Sequence, residues 1–483
     1  MMAMVQDGVG APRQAANGEA EILRPAVTST LTNRFLLYAL TALIALSPLP
    51  FGGNKPLAWA IYALATALLL LAYAVPALVR GATLPVPFRR IIVPTVLIAV
   101  VVVWMLVQVD AFGSILPTHP LWSIGSLEAA GHPSVNPDMT LTGLMRLLTY
   151  AGIFWLSLQL CRDVDNAEFL IWAIGVAVAV YSFYGLILWS LGSQTILWYP
   201  KLFYRDDLTS TFVNRNSFAT YAGLGCVIFL FTLTKQLSRV LAQSDRASLG
   251  RQLATVAVQS GPILVYAVPL LAVFSALILS KSRAGFASTV FAIVLGFLVW
   301  LLRRRRVSAW GQFAVVGVAL VTFTTWISFS GEALFRRFSS VDNDAEGRFQ
   351  TYAATWTAIK DNLWYGTGYN SFQDMFPLYR DESVSAFGVW DKAHDTYLEV
   401  LLGLGLPVGI ALILAVLLLV FTCLKGAITR RRAWHLPLIA FTASVLVGCH
   451  ALVDFSLQMA GVAITYAAIL GVGVAQSWSS TAK

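Results

Sequence analysis

The feature that most constrains this chain is a series of about twelve apolar stretches, separated by short polar loops. Each stretch is about 18 to 24 residues long, the length of α-helix that spans roughly 30 Å of hydrocarbon. Only 12% of the 483 residues are charged, against roughly 25% in a soluble globular domain. We therefore predict an all-α, polytopic membrane helix bundle. The predicted spans are residues 35–52, 57–79, 91–109, 143–160, 167–190, 216–234, 261–279, 284–302, 309–328, 401–422, 436–453 and 460–477.

Lysine and arginine alternate between successive loops, which predicts the orientation. Basic loops resist translocation and remain in the cytoplasm. With a cytoplasmic N-terminus, the basic loops all fall inside, whereas residues 110–142 contain no lysine or arginine. We expect a multi-pass protein of the bacterial inner membrane with both termini cytoplasmic. Its net charge of +9 is explained by the basic loops that set the orientation in the membrane, and not by nucleic-acid binding. The cytoplasmic basic residues are Arg80, Arg89, Arg90, Arg162, Lys235, Arg239, Arg246, Arg251, Arg303 to Arg306, Lys425 and Arg430 to Arg432.

The polar segments divide the chain into predicted regions. Residues 1–33 form a polar, disordered cytoplasmic N-terminus, residues 34–209 an N-terminal transmembrane bundle, and residues 456–483 the last helix and C-terminus. Residues 210–455 form the region that contains the candidate functional residues described below. Within it, the outer loop 330–397 is too long for a plain turn. The spacing of Phe349, Ala353, Trp356 and Ile359 predicts a helix, so this loop is expected to form a folded, partly helical periplasmic cap.

Two arginines stand at the starts of spans on the outer side, against the orientation rule. Arg215 lies in Thr211-Phe-Val-Asn-Arg-Asn216, and Arg283 lies in Ser280-Lys-Ser-Arg-Ala-Gly285. A guanidinium forms bidentate contacts with phosphate oxygens, and a helix N-terminus adds N–H groups pointing the same way. The pattern favours a pyrophosphate-binding site. The alternative is that these arginines contact lipid headgroups or pair with carboxylates such as Asp206 and Asp207.

His394 lies where the large outer loop meets the next membrane helix. An imidazole there can accept a proton from a hydroxyl near neutral pH. The alternative is a helix-capping or interfacial histidine. His450 and Asp454 are four residues apart at the outer end of a span, and we interpret them as a structural hydrogen-bonded pair.

Other site types find little support in the sequence. The four cysteines, Cys161, Cys226, Cys423 and Cys449, form no CxxC pair. The residues His119, Glu128, His132 and Asp138 lack metal-ligand spacing. No Walker loop or dinucleotide-binding motif occurs in a suitable context. We therefore expect no cofactor and no metal.

Four segments of the sequence resemble the O-antigen ligase and O-antigen polymerase superfamily of bacterial inner-membrane glycosyltransferases. They are Thr211–Asn216, Leu279–Gly285, Gly347-Arg-Phe through Trp364–Phe372, and Ala393-His-Asp-Thr-Tyr-Leu-Glu399 leading into Gly403-Leu-Gly405. His450–Phe455 is similar to a segment near the end of many members. One departure is Asp395, because members commonly have Asn after this histidine.

The resemblance implies metal-independent transfer of a glycan from undecaprenyl diphosphate on the periplasmic side of the membrane. By position, Arg215 and Arg283 would hold the diphosphate and His394 would act on the acceptor hydroxyl. Arg348 is a third arginine candidate for substrate binding. Asn214, Lys281 and Tyr397, in the same motifs, are further candidates for substrate binding.

The acceptor stays open between a glycan, as in an exopolysaccharide or O-antigen polymerase, the lipid A core of lipopolysaccharide, and a protein hydroxyl. A function of another class is also consistent with twelve spans, namely a transporter or flippase of lipid-linked glycans. Transporters, however, concentrate polar sites near the midplane and show repeat symmetry. This chain concentrates its charge at the outer face, which favours the enzyme.

Overall fold

The computed structural model of the protein describes residues 30–113, 115–123, 131–242, 260–303, 343–380 and 390–479. These residues form a helical bundle with one two-stranded hairpin, β1 (Thr195–Ile196) and β2 (Tyr199–Pro200). The α-helices are α1 (Thr30–Leu46), α2 (Pro56–Val79), α3 (Ile92–Gln108), α4 (Pro137–Leu160), α5 (Val164–Ser190), α6 (Arg215–Ala242), α7 (Ser260–Leu279), α8 (Arg283–Arg303), α9 (Asn343–Asp361), α10 (Phe372–Met375), α11 (Thr396–Leu404), α12 (Leu406–Thr429), α13 (His435–His450) and α14 (Ala460–Ala475).

The apolar helices confirm a polytopic, all-α membrane protein. Six described helices are long and apolar enough to cross a membrane, and five more are apolar but shorter. These eleven helices coincide with eleven of the predicted spans. The twelfth predicted span, residues 309–328, lies outside the described residues.

The predicted span 401–422 is wrong at its start, because a glycine divides it. Gly405 has φ 76° and separates α11 from α12. A Cβ on Gly405 would lie 2.5 Å from the carbonyl oxygen of Trp364, so the loop before α10 packs directly against the break. Pro407 then stands in the first turn of α12, where its fixed φ suits a helix start. The membrane helix therefore begins at Leu406, and the backbone is kinked at Gly405.

The predicted cap is helical where it is described. Helix α9 covers the segment in which the spacing predicts a helix. Phe349 is 39% exposed and Trp356 is 47% exposed, whereas Ala358 and Ile359 are buried. Ala358 and Ile359 pack with Phe372, Phe376, Ala393 and Leu402, which fixes the cap onto α11.

Helix α14 forms the centre of the bundle. Every residue from Ala460 to Ala475 is buried, and a helix that is apolar all round must be surrounded by protein or lipid. It packs against α4, α12 and α13. Because α13 ends and α14 begins at the same end of the bundle, residues 451–459 cross the middle of that end.

The two ends of the bundle differ in charge. At one end the side chain of Arg303 donates to the carbonyl oxygen of Arg431 (3.2 Å), and Arg162 donates to that of Ala475 (2.9 Å). Arg90 lies over the ring of Trp478. This basic end contains many of the residues that predict a cytoplasmic side. The opposite end, where α6 and α8 begin, is called the site end below.

Candidate functional site

The start of α6 is fixed by a side-chain cap. Asn214 accepts a hydrogen bond from the backbone N–H of Asn216 at 2.7 Å, which satisfies one of the N–H groups that a helix leaves unpaired at its N-terminus. Arg215 is therefore the first residue of α6. Of the residues predicted to bind substrate, Asn214 acts as a cap in this structure.

Arg215 and Lys281 meet at one carboxylate. Nη1 of Arg215 lies 2.6 Å from Oδ2 of Asp207, and Nζ of Lys281 lies 3.2 Å from Oδ1 of the same residue. The Arg215 guanidinium also lies 5.1 Å from the centroid of the Tyr204 ring. The alternative reading of Arg215, pairing with a carboxylate, is observed. Asp207 holds two cations side by side, and about a third of the Arg215 side chain remains exposed.

Arg283 begins α8 and is exposed. The turn before it places Lys281 in the left-handed region, with φ 53°, which reverses the chain between α7 and α8. Among the described residues, none forms a hydrogen bond or ion pair with the Arg283 side chain. This guanidinium is therefore available to an anionic ligand at the site end.

A cavity of about 360 Å³ opens beside this cluster, between the end of α5 and the segment before α6. Lys201, Arg205 and Lys281 line it together with Asp206. Lys201 is buried and donates to the carbonyl oxygen of Asp207 at 2.8 Å. Burial lowers the pKa of the Lys201 ammonium, although the nearby aspartates oppose this effect. Lys201 and Arg205 thus line a basic cavity, with Lys201 buried.

Asp454 connects the starts of three helices. Its Oδ2 accepts a hydrogen bond of 2.7 Å from Asn216 of α6, and Asn216 in turn accepts one of 2.8 Å from Ser282 beside α8. The carbonyl oxygen of Asp454 accepts from Thr396 of α11 at 3.1 Å. The predicted arginine segments and the predicted histidine segment therefore meet at the site end.

His394 lies between the cap and the bundle. Its ring contacts Phe455 (4.9 Å between centroids) and Trp390 (5.8 Å). Its carbonyl oxygen accepts from the hydroxyl of Tyr352 in α9 at 3.0 Å. The residue has φ 57°, an uncommon conformation for any residue other than glycine that surrounding contacts must maintain. The cap thus fixes the position of the imidazole.

Two carboxyl groups hold the His394 loop. Oδ1 of Asp395 accepts from the N–H groups of Tyr397 (2.8 Å) and Leu398 (3.0 Å) and caps α11. Burial raises the pKa of Asp395 to about 6, and these two hydrogen bonds oppose the rise. Glu399 accepts from the N–H of Ala393 at 2.8 Å, and burial raises its pKa. Asn would cap α11 as well as Asp does, so the departure at Asp395 introduces an ionisable group without altering the cap.

Tyr397 faces the bundle interior. Its hydroxyl donates to the carbonyl oxygen of Gly448 in α13 at 3.0 Å. Burial raises the pKa of the Tyr397 phenol to about 12, so the hydroxyl remains a donor. Its observed contact is structural, and the predicted contact with substrate remains a prediction.

The pairing predicted between His450 and Asp454 passes through a third residue. Nδ1 of His450 lies 3.0 Å from Oγ of Ser456, which donates to Oδ1 of Asp454 at 3.0 Å. Nδ1 also lies 2.9 Å from the hydroxyl of Thr220 in α6. All of these groups are buried or half-buried, which is consistent with the predicted structural role.

Other predicted residues lie elsewhere. Arg348 belongs to α9, and its side chain is outside the described part of the chain. His119 contacts Asn362 at 3.1 Å, and Glu128 lies outside the described residues. Among the residues that the structure describes, no group of three metal-ligating side chains occurs. No sequence pattern indicates that Asp207 bridges Arg215 and Lys281, or that Asp454 accepts hydrogen bonds from Asn216 and Thr396.

Comparison with known proteins identifies one family. The profile of the O-antigen ligase family matches residues 268–413, a segment that includes Lys281, Arg283, Arg348, His394 and Tyr397. No curated protein matches the chain.

Proposed function

The chain belongs to the O-antigen ligase and polymerase superfamily, and on this premise we propose that it transfers a glycan from undecaprenyl diphosphate to an acceptor hydroxyl. The reaction would take place at the periplasmic face of the bacterial inner membrane. The observation that carries the proposal is the set of hydrogen bonds around Asp454, because it joins the arginine-bearing helix starts to the loop of His394.

The cations support binding of the diphosphate. Arg215, Lys281 and Arg283 stand at the starts of two helices, where backbone N–H groups also favour an anion. Asp207 neutralises part of the charge on Arg215 and Lys281, and Arg283 is exposed. We propose that Arg283 contacts the donor first and that Arg215 keeps its orientation through Asp207. Arg348 is proposed as a further contact from the cap.

The proposed chemistry is a displacement at the anomeric carbon of the donor sugar. The oxygen of the acceptor hydroxyl forms a bond to this carbon, and the bond from the carbon to the diphosphate oxygen breaks. The hydroxyl proton passes to His394, and undecaprenyl diphosphate leaves with the negative charge. Fixed guanidinium groups stabilise charge that develops on the leaving group, and the imidazole acts as general base. In this scheme the leaving group needs no metal ion.

The distribution of charge supports the proposed orientation. Basic residues such as Arg162, Arg303 and Arg431 lie at the end opposite the site, and basic segments remain cytoplasmic. The site end would then face the periplasm, where this proposal places the lipid-linked glycan donor.

A purified-protein assay tests the proposal. The full chain in detergent is mixed with undecaprenyl-diphosphate glycan and, in parallel, with a second glycan, a lipid A core or a hydroxyl-bearing protein. Release of undecaprenyl diphosphate together with an enlarged acceptor supports the proposal and identifies the acceptor. The alternative function, a flippase, is supported instead if no acceptor is extended and the reconstituted protein moves the lipid-linked glycan between leaflets.

A further inference from the structure

A buried arginine lies inside the bundle, beside a second cavity. Arg146 is nine residues after the first residue of α4, about 14 Å along a helix that rises 1.5 Å per residue, and it is buried. Its Nε donates to the hydroxyl of Tyr150 at 3.3 Å, and Nη2 donates to the carbonyl oxygen of Gln458. Its guanidinium lies 4.5 Å from the centroid of the Trp59 ring. All three partners are neutral.

No described carboxylate forms an ion pair with Arg146. Glu399 lines the same cavity, but its carboxyl group is not within ion-pair distance of Arg146. A buried cation without a paired anion is costly, and an ionisable residue within a membrane segment usually marks a functional site. The guanidinium has five N–H donors, and its contacts with Tyr150 and Gln458 use two of them. Three donors remain for the oxygen atoms of an anion.

Arg146 lines a cavity of about 630 Å³, within the range of roughly 300–1,000 Å³ found for ligand sites. The helices α3, α4, α14, α13 and α12 surround it, and each packs against the next. Tyr369 and residues of α11 close the cavity toward the cap. Most of the remaining lining side chains are apolar, so the cavity suits a hydrocarbon chain more than a sugar.

The cavity opens sideways toward the surface of the bundle. Helices α3 and α12 pack together near the site end through Val101, Met105 and Val408. Farther along, Phe88 and Leu417 both line the cavity, and they are 46% and 56% exposed. Since this surface lies among membrane-spanning helices, the opening would face the hydrocarbon of the bilayer.

We propose that this cavity binds an anionic lipid, with its phosphate at Arg146 and a hydrocarbon chain extending between α3 and α12. The charge of Arg146, the apolar walls and the opening toward lipid all match one amphipathic occupant. The cavity shares no lining residue with the 360 Å³ cavity beside Lys281. Thr396 and Tyr397, which follow His394 in the chain, line the Arg146 cavity as well, so this cavity adjoins the loop of His394. The lipid-binding measurement below nevertheless does not depend on glycan transfer.

Native mass spectrometry of the delipidated full chain tests this inference. The probes are dioleoyl phosphatidic acid, dioleoyl phosphatidylcholine and inorganic phosphate. We expect one tightly bound phosphatidic acid, at least tenfold weaker binding of phosphatidylcholine, and no competition by inorganic phosphate. Arg146→Gln should weaken phosphatidic acid binding at least tenfold. Equal affinity for the two lipids, or unchanged affinity in Arg146→Gln, overturns the inference.

A matched pair of variants on α12 tests the inference even if Arg146→Gln does not fold. Leu417 and Leu414 are both exposed, at 56% and 43%, but only Leu417 lines the cavity. Leu417→Trp should fill the opening and weaken phosphatidic acid binding at least tenfold, with Arg146 intact. Leu414→Trp should bind as the wild type does. If both variants bind like the wild type, or both lose binding equally, the cavity is not the lipid site.

Discussion

The side chain of Asn216 donates a hydrogen bond of 2.7 Å to the carboxylate of Asp454, 238 residues farther along the chain. This contact joins the start of α6 to the segment between α13 and α14. Because Asp454 also accepts hydrogen bonds from Ser456 and Thr396, it connects the arginine segments to the histidine segment.

Asn216→Ala tests this connection. The substitution leaves the Asp454 carboxylate and the Ser282 hydroxyl without their partner, and unpaired buried polar groups cost about 1–3 kcal/mol each. We expect a lower thermal stability in detergent and loss of transferase activity. Asn54→Ala is the matched control, because Asn54 makes no side-chain hydrogen bond with the described residues. Equal stability of the two variants would contradict the connecting role of Asn216.

The pairing of Arg215 with Asp207 predicts that lysine cannot replace this arginine. A guanidinium can bind the carboxylate and still present a planar face of donors to a diphosphate, whereas an ammonium is a compact point charge. Arg215→Lys should lower kcat/KM roughly tenfold, equivalent to about 1.4 kcal/mol. Arg89→Lys, at an exposed arginine of the opposite end, should change kcat/KM little. Wild-type kinetics in Arg215→Lys would show that the planar geometry is not used.

The raised pKa of Asp395 predicts a dependence of stability on pH. Its pKa is about 6 in the folded protein and about 3.9 in an unfolded chain. As pH rises between these values, the unfolded chain releases its proton first, so stability falls; above pH 6 the loss is constant. This difference of about two pKa units corresponds to a loss of about 3 kcal/mol in the free energy of unfolding.

Asp395→Asn should remove this fall, because Asn caps α11 without ionising. The measurement is thermal stability in detergent from pH 4 to pH 8. The variant should be more stable than the wild type at pH 7 and equal to it near pH 4. Asp163→Asn, at the exposed cap of α5, provides the matched control. Parallel pH profiles for wild type and Asp395→Asn would refute the role of burial.

The docking of the cap depends on Gly366. Its φ is 69°, and a Cβ there would lie 2.4 Å from the backbone nitrogen of Gly405. Gly366→Ala should separate the cap from the α11–α12 kink and strongly reduce stability and activity. Gly81 also has a positive φ, of 59°, but no atom lies within 4 Å of its added Cβ. Gly81→Ala should cost only the backbone strain of about 1–2 kcal/mol. Limited proteolysis of both variants would compare the exposure of the cap.

The positions of the membrane helices could be predicted from the sequence because they follow from the position and length of each apolar stretch. The eleven described apolar helices follow the predicted spans to within a few residues at most ends. The exception at Gly405 arises because mean hydropathy continues through a backbone break. Pro407 in the next turn was the signal that a helix starts there.

Long-range contacts of the site could not be predicted in the same way. Asn216 and Thr396 donate to Asp454 from distant parts of the chain, and Ser282 donates to Asn216. A single sequence contains no periodic signal for such contacts. The spacing that predicts α9 also does not show which side chains are buried. Phe349 and Trp356 are partly exposed, whereas Ile359 is buried.

In the proposed reaction, Arg283 and His394 act at one site. The most direct test of this proposal is a single-turnover measurement of undecaprenyl diphosphate release by purified wild type, Arg283→Ala, His394→Ala and Arg89→Ala, at saturating acceptor. We predict that Arg283→Ala and His394→Ala each lower the rate roughly 10²-fold or more, while both variants remain folded and Arg89→Ala, at an exposed arginine of the opposite end, stays near the wild type. Wild-type release by Arg283→Ala or by His394→Ala would contradict the account.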